Sequence, residues 1–180
     1  MKSIVVGICL LVSFLTLSGA PGPAVAGEFI QSAGDVTMFL LPATAGMSSL
    51  ILRDYTGLKE LAESTALSLG STLVLKYAVD ERRPNGEDHS FPSGHAAISF
   101  SSAEFIRKRY GWEYGLPAYA VATFVGYSRV EAKEHYVHDV LAGALIGVAS
   151  SYLFTTPYST VSVSGEAAPG YFGVRVSSSF

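Results

Sequence analysis

The sequence predicts an all-α helical bundle of about five core helices followed by a C-terminal β-hairpin-like tail. Three observations carry that prediction. Uncharged or amphipathic stretches of helical length recur from residue 36 to residue 154. Gly, Pro and polar clusters separate them. From Ser159 on, the apolar period changes to two. The chain has 180 residues, 49% hydrophobic and 15% charged. Charged residues average about a quarter of a soluble domain, so this chain is poor in charge. Disorder is excluded by the apolar content. The formal charge is −3, with no basic surplus for nucleic-acid binding.

The elements follow in order. Residues 1–26 read as an export signal: Lys2, the uncharged stretch Ile4 to Leu17, the breakers Gly19, Pro21, Gly22 and Pro23, and the small-x-small site Ala24-Val25-Ala26. An uncleaved anchor is the alternative. Cys9, the one cysteine, lies inside that signal, so the mature chain has no thiol chemistry. Residues 27–157 form the expected helical domain and 158–180 the tail.

Val36 to Leu52 is the first expected helix, interrupted by Pro42 and Gly46. Leu58 to Val79 is the second. Asp80 to Phe91 must be a loop, because Pro84, Asn85-Gly86 and Pro92 oppose helix. The third begins at Ser93 or Gly94 and ends near Arg107-Lys108-Arg109, where cations suit a helix C-terminus. The fourth covers Glu113 to Arg129. The fifth covers Glu134 to Phe154 and stops at Thr155-Thr156-Pro157. In the tail, Val161 and Val163 alternate, then Phe172, Val174, Val176 and Phe180, with a turn at Ala167–Gly170. A hairpin packed on the helices is expected, with outer-membrane association as the alternative. The apolar runs fall short of the roughly 20 residues of a membrane span. Glu104 interrupts the third helix. The expectation is therefore an exported domain, soluble or peripherally attached, with short tilted membrane helices as the alternative.

Three polar clusters carry chemistry. Lys76-x6-Arg83-Pro84 puts one cation near a helix end and another on a loop stiffened by proline. In isolation both read as solvated charges. Pro92-Ser93-Gly94-His95 opens the third helix, with Ser93 as N-cap and Gly94 allowing close approach of a ligand. The free N–H groups of such a turn form an anion site. Ser128-Arg129-x5-His135-x3-Asp139 places a carboxylate four residues from an imidazole, on one face of the expected fifth helix. A carboxylate there fixes the tautomer and supports positive charge on the ring. Three cations and a helix N-terminus match a phosphate dianion. No run of Asp, Glu and His has metal-ligand spacing, so no metal is expected.

Together the three clusters resemble the signature of the type 2 phosphatidic acid phosphatase (PAP2) superfamily, which includes class A acid phosphatases and vanadium haloperoxidases. The resemblance covers about Leu58 to Phe154. It implies a helical-bundle phosphatase without metal or cofactor. His135 would be the nucleophile, Asp139 its orienting carboxylate and His95 the general acid and base. Lys76, Arg83, Ser93, Gly94 and Arg129 would bind phosphate oxygens. Arg82 is set aside because the spacing and Pro84 select Arg83. His138 points away from the expected His135–Asp139 face, and His89 with Glu87 and Asp88 lies in the adjoining loop. The implied substrate is a lipid phosphate such as phosphatidic acid or undecaprenyl diphosphate. A soluble phosphomonoester stands behind it, then a vanadate-dependent haloperoxidase or a non-catalytic binder of anionic lipid. The implied location is the bacterial periplasm, with peripheral membrane contact.

Overall fold

The computed structural model describes residues 23–168 and 171–179, with side chains over 27–159. Within these residues the order is α1 (Pro23–Ile51), α2 (Tyr55–Val79), α3 (Gly94–Tyr110), α4 (Trp112–Glu131), α5 (Val137–Phe154), β1 (Thr160–Ala168) and β2 (Tyr171–Ser179). The expected bundle is present and two strands pair at the expected place, while Pro169 and Gly170 of the expected turn lie outside the described residues. The strands pair antiparallel, with Val163 opposite Val176 and Ala168 opposite Tyr171. Phe180 and residues 1–22 lie outside the described residues, and with them most of the expected export signal.

Two helix starts differ from expectation. α1 begins at Pro23, well before Val36, and runs through Pro42. Proline suits the first turn of a helix, where its missing N–H costs nothing. At Pro42 a ladder hydrogen bond is lost, but α2, α3 and α4 all lie against α1 and hold it. The last four residues of the expected signal therefore form the first turn of α1. α5 begins at Val137, three residues later than expected. Tyr136 is its N-cap, and its N–H is taken by the side chain of Asp139 at 2.9 Å.

α3 is the central element, touching the other four helices. Its small residues explain why it can be. Ala96, Ala97, Ser99, Ser101, Ser102 and Ala103 are all buried. Small side chains let backbones approach. Gly143 and Gly147, one turn apart on α5, face the backbone carbonyls of Ser93 and Ala97, where an added Cβ would collide. Glu104 is buried too, held by Arg107 Nε at 2.6 Å and the Tyr119 hydroxyl at 2.6 Å. The third helix thus packs as a core helix of a water-soluble domain does.

The outer helices do not. Their buried faces carry hydroxyls, among them Ser64, Ser68 and Thr72 on α2 and Ser150 and Ser151 on α5. Several donate to the carbonyl one turn back, as Thr72 does to Ser68 at 2.8 Å and Ser48 to Thr44 at 2.8 Å. Large apolar side chains point outward instead: Phe39 and Met47 on α1, Leu73, Val74 and Tyr77 on α2, Leu141, Leu145 and Leu153 on α5. Val74 is 69% exposed and Leu145 71%. This inverts the pattern of a helix on a water-soluble core. It fits the alternative of short tilted membrane helices better than a water-soluble domain. α5 also has the length and composition of a membrane-spanning helix.

The bundle has two distinct ends. At one, Arg109 is buried and bridges Asp54 at 2.5 Å, Glu60 at 3.3 Å and the Thr156 carbonyl at 2.9 Å. Asp54 also caps α2 through the Gly57 N–H at 2.9 Å. The apolar core leads away from this end, through Leu41, Leu61, Phe105, Ile106 and Val121. At the other end converge the C-termini of α2 and α4, the N-termini of α3 and α5, and a mid-length stretch of α1.

Candidate active site

The second end gathers the three polar clusters. Ser93 caps α3, accepting the Ala96 N–H at 3.4 Å. Its own N–H donates to the Asp139 carbonyl at 3.0 Å, which ties the Pro-Ser-Gly-His turn to α5. Lys76, in the last turn of α2, donates to the carbonyls of His89 at 2.6 Å and Ser90 at 3.3 Å. It thereby anchors the polar loop over the site. Arg83 is paired with Glu134 and, at 2.9 Å, with Glu87. Arg82 is exposed and reaches only Asp88, at 3.7 Å, so the selection of Arg83 agrees with the geometry.

His135 and Asp139 are 4% and 0% exposed at their side chains, with Nδ1 and Oδ2 3.4 Å apart. The sequence placed them on one helix face. His135 instead precedes the N-cap of α5, and Asp139 occupies the third helical position. The pair meets because the chain folds back over the helix start, not because of helical periodicity. Asp139 Oδ2 also accepts the Ser90 hydroxyl at 2.5 Å. The approach of His135 is longer than a formed hydrogen bond, as catalytic contacts often are before substrate binds. Burial, then the charges of Lys76 and Arg83, push the His135 imidazole down to about 4, against the opposing pull of Asp139. The ring is therefore neutral near pH 7, as a nucleophile requires.

His95 lies across the same end. Its Nε2 is 3.1 Å from Asp35 Oδ1. Asp35 also accepts from Arg129 Nη1 at 2.6 Å, while Nη2 donates to the Gln31 carbonyl at 2.7 Å and Nε to Ser128 Oγ at 3.2 Å.

Sequence reasoning missed three contributors. Asp35 and the Gln31 carbonyl come from α1, outside the three clusters. The available signal was that Asp35 is the only charged residue between Glu28 and Arg53. A lone carboxylate in so apolar a helix is costly and marks a function. Ser90, fully buried beside Asp139, had no such signal. His138, expected to point away from Asp139, does not: its Nε2 is 3.1 Å from Asp139 Oδ1 and 3.0 Å from Glu81, and its ring stacks on Tyr136 at 5.3 Å. Glu81, His138 and Asp139 bring their ligand atoms within 4.8 Å of one another, a grouping the sequence spacing did not show. His89 turns its side chain to Asp80, at 3.0 Å, and its ring against Tyr77.

Comparisons with known proteins identify the family. The family model of the PAP2 superfamily matches residues 57–161. A lipid A 4'-phosphatase of Helicobacter pylori is 39% identical over 141 residues, 72% of this chain and 71% of that protein. A lipid A 1-phosphatase of Porphyromonas gingivalis is 39% identical over 88 residues, 46% of this chain and 20% of that protein. The crystal structure of Aquifex aeolicus LpxE superposes with a TM-score of 0.61 at 24% identity, covering 79% of this chain and 91% of that one, which supports the fold. The buried imidazole–carboxylate pair, the capped turn and the three cations thus stand in a chain that belongs to the PAP2 superfamily.

Proposed function

We propose that this chain is a membrane-embedded lipid phosphate phosphatase that acts on a phosphorylated glycolipid of the lipid A type through a phosphohistidine on His135. The observation that carries the reading is the placement of the His135–Asp139 pair and three cations at one rim of a bundle whose outward faces are apolar. A phosphate there would keep its acyl chains against Leu, Val and Phe side chains. The 39% identity to a lipid A 4'-phosphatase supports the glycolipid as substrate class.

The helix lengths suit a bilayer. At 1.5 Å per residue, α1 with 29 residues and α2 with 25 span about 43 and 37 Å. The hydrocarbon core is about 30 Å thick. Hydroxyls and glycines between helices, with apolar residues outward, are the composition of helix contacts in lipid. The start of α1 lies toward the same end as the site, since Gln31 and Asp35 meet Arg129 there. An export segment there would deliver the site to the periplasmic face.

The chemistry follows from the residues. His135 Nδ1 faces Asp139, leaving Nε2 to attack phosphorus. The P–N bond forms as the ester P–O bond breaks, and His95 protonates the departing alkoxide. The ring of His135 becomes cationic, and Asp139 stabilises that charge. Water then attacks phosphorus, His95 takes its proton, and the P–N bond breaks to release inorganic phosphate. Lys76, Arg83, Arg129 and the Ser93-Gly94 turn hold the equatorial oxygens. Phosphoryl transfer needs mostly positioning and charge stabilisation.

The test is phosphate release by purified protein in detergent from bisphosphorylated lipid A, phosphatidic acid, undecaprenyl diphosphate and p-nitrophenyl phosphate, with EDTA present and His135→Ala as control. Release from lipid A above the others is expected. Release only from p-nitrophenyl phosphate would replace the reading with a phosphatase of soluble monoesters. No release from any substrate by folded protein would overturn it.

A further inference from the structure

The geometry points to Asp35 as the positioning carboxylate of His95, so that each imidazole of the site has its own acid, supplied from opposite sides of the bundle. This rests on the phosphatase reading above and deepens it. α1 lies outside residues 57–161, the span the family model matches. It nevertheless forms a wall of the site. Asp35 Oδ1 lies 3.1 Å from His95 Nε2 and 2.6 Å from Arg129 Nη1. One turn earlier, the Gln31 carbonyl takes Arg129 Nη2 at 2.7 Å. Between them Gly34 has no side chain, and a Cβ there would collide with Ser128 Oγ and the Arg129 guanidinium. Gly34 thus lets the α1 backbone seat directly on the end of α4 and carry the Asp35 carboxylate to the histidine.

The chemical consequence is a division of labour on the His95 ring. A carboxylate at Nε2 holds a proton there and fixes the tautomer. Nδ1 is then the nitrogen that exchanges a proton with substrate. In the first half-reaction the His95 imidazolium gives its Nδ1 proton to the alkoxide as the P–O bond breaks. In the second, Nδ1 recovers a proton from the attacking water as the P–N bond breaks. The carboxylate 3.1 Å from Nε2 supports positive charge on the ring in the step that protonates the alkoxide. The Asp139–His135 pair uses the same principle for a different purpose, because that ring carries the phosphoryl group.

Leaving-group dependence distinguishes this role from a structural one. An alkoxide needs a proton to depart, whereas p-nitrophenolate does not. With the full-length protein in detergent, Asp35→Asn should slow phosphoenzyme formation from phosphatidic acid, read in a single turnover, on the order of 10- to 100-fold. From p-nitrophenyl phosphate that step should slow less than about threefold, while the later attack of water slows alike for both, and KM should stay unchanged on both. On phosphatidic acid, His95→Ala combined with Asp35→Asn should be no slower than His95→Ala alone, since the two act as a unit. Equal slowing of phosphoenzyme formation from both substrates, additive loss in the double variant, or a KM rise at constant kcat would overturn the assignment; the last would make Asp35 an anchor for Arg129 only. Wild-type turnover separates the two levels. If wild type hydrolyses neither these two nor bisphosphorylated lipid A, the phosphatase reading falls and this one with it. If wild type is active and Asp35→Asn behaves like wild type, only the Asp35 assignment falls.

Discussion

The backbone N–H of Ser93 donates to the carbonyl of Asp139 at 3.0 Å. One hydrogen bond thus joins the turn that opens α3 to the first turn of α5. The anion-binding turn and the imidazole–carboxylate pair are held as one piece, although 46 residues separate them in sequence. Preorganisation of this kind is what phosphoryl transfer demands of a protein.

His135→Ala should abolish phosphate release while leaving the fold intact, because His135 makes no hydrogen bond through its buried Nδ1. Its partner Asp139 stays engaged with Ser90 and the Tyr136 N–H. Circular dichroism of the variant and a radiolabelled phosphoprotein assay of the wild type check the two halves. Acid-labile label on the wild type and none on the variant is the expected pattern.

Ser90→Ala removes the hydroxyl that donates to Asp139 Oδ2 at 2.5 Å. A hydrogen bond to a charged group contributes about 1.5–3 kcal/mol. The expected result is a fall in kcat on the order of 10- to 100-fold with KM little changed. Steady-state kinetics on a lipid phosphate measure it.

The His135 imidazole is pushed down to about 4 by burial and by Lys76 and Arg83. In the proposed mechanism the neutral ring is the nucleophile, so competence is retained above that value and lost as pH falls through it. NMR titration of labelled histidine in detergent should place the His135 transition near 4, independently of substrate ionisation. Lys76→Met removes one of the opposing cations and should move the transition upward, toward the ordinary histidine value of about 6.5.

Arg109→Met tests the opposite end. Arg109 is buried and paired with Asp54 and Glu60. Removing one partner of a buried ionic cluster costs on the order of 3–5 kcal/mol. Thermal unfolding in detergent should show a large drop in Tm, while turnover per folded molecule at low temperature stays at the wild-type level.

Much of the site was legible because its residues sit where helices stop. Pro92-Ser93-Gly94-His95 and Lys76-x6-Arg83-Pro84 are both punctuation and chemistry, so the breakers that ended the helices also located the ligands. Asp35 was not legible, since its partners lie 60 and 94 residues away and nothing local announces them. Glu81 and His138, 57 residues apart, are the same case. The orientation of the outer helices was hidden for another reason. A helix with Leu, Val, Ser and Thr intermixed has no strong face, and only neighbours decide whether Ser68 or Val74 turns inward. The start of α5 was misplaced because a tyrosine N-cap carries no sequence signal, unlike the serine that caps α3.

Tyr158 donates its N–H to the Arg109 carbonyl at 2.8 Å, fixing the exit of α5 beside the buried ionic cluster. The polypeptide therefore leaves the bundle at the pole away from His135. Seated in a bilayer with its pocket toward the periplasmic leaflet, the enzyme would present everything after Phe154 to the cytoplasm. A fluorescent protein fused behind the hairpin would then mature and glow in living cells without crowding the sugar phosphates on the far side, giving a topology readout and a handle in one step.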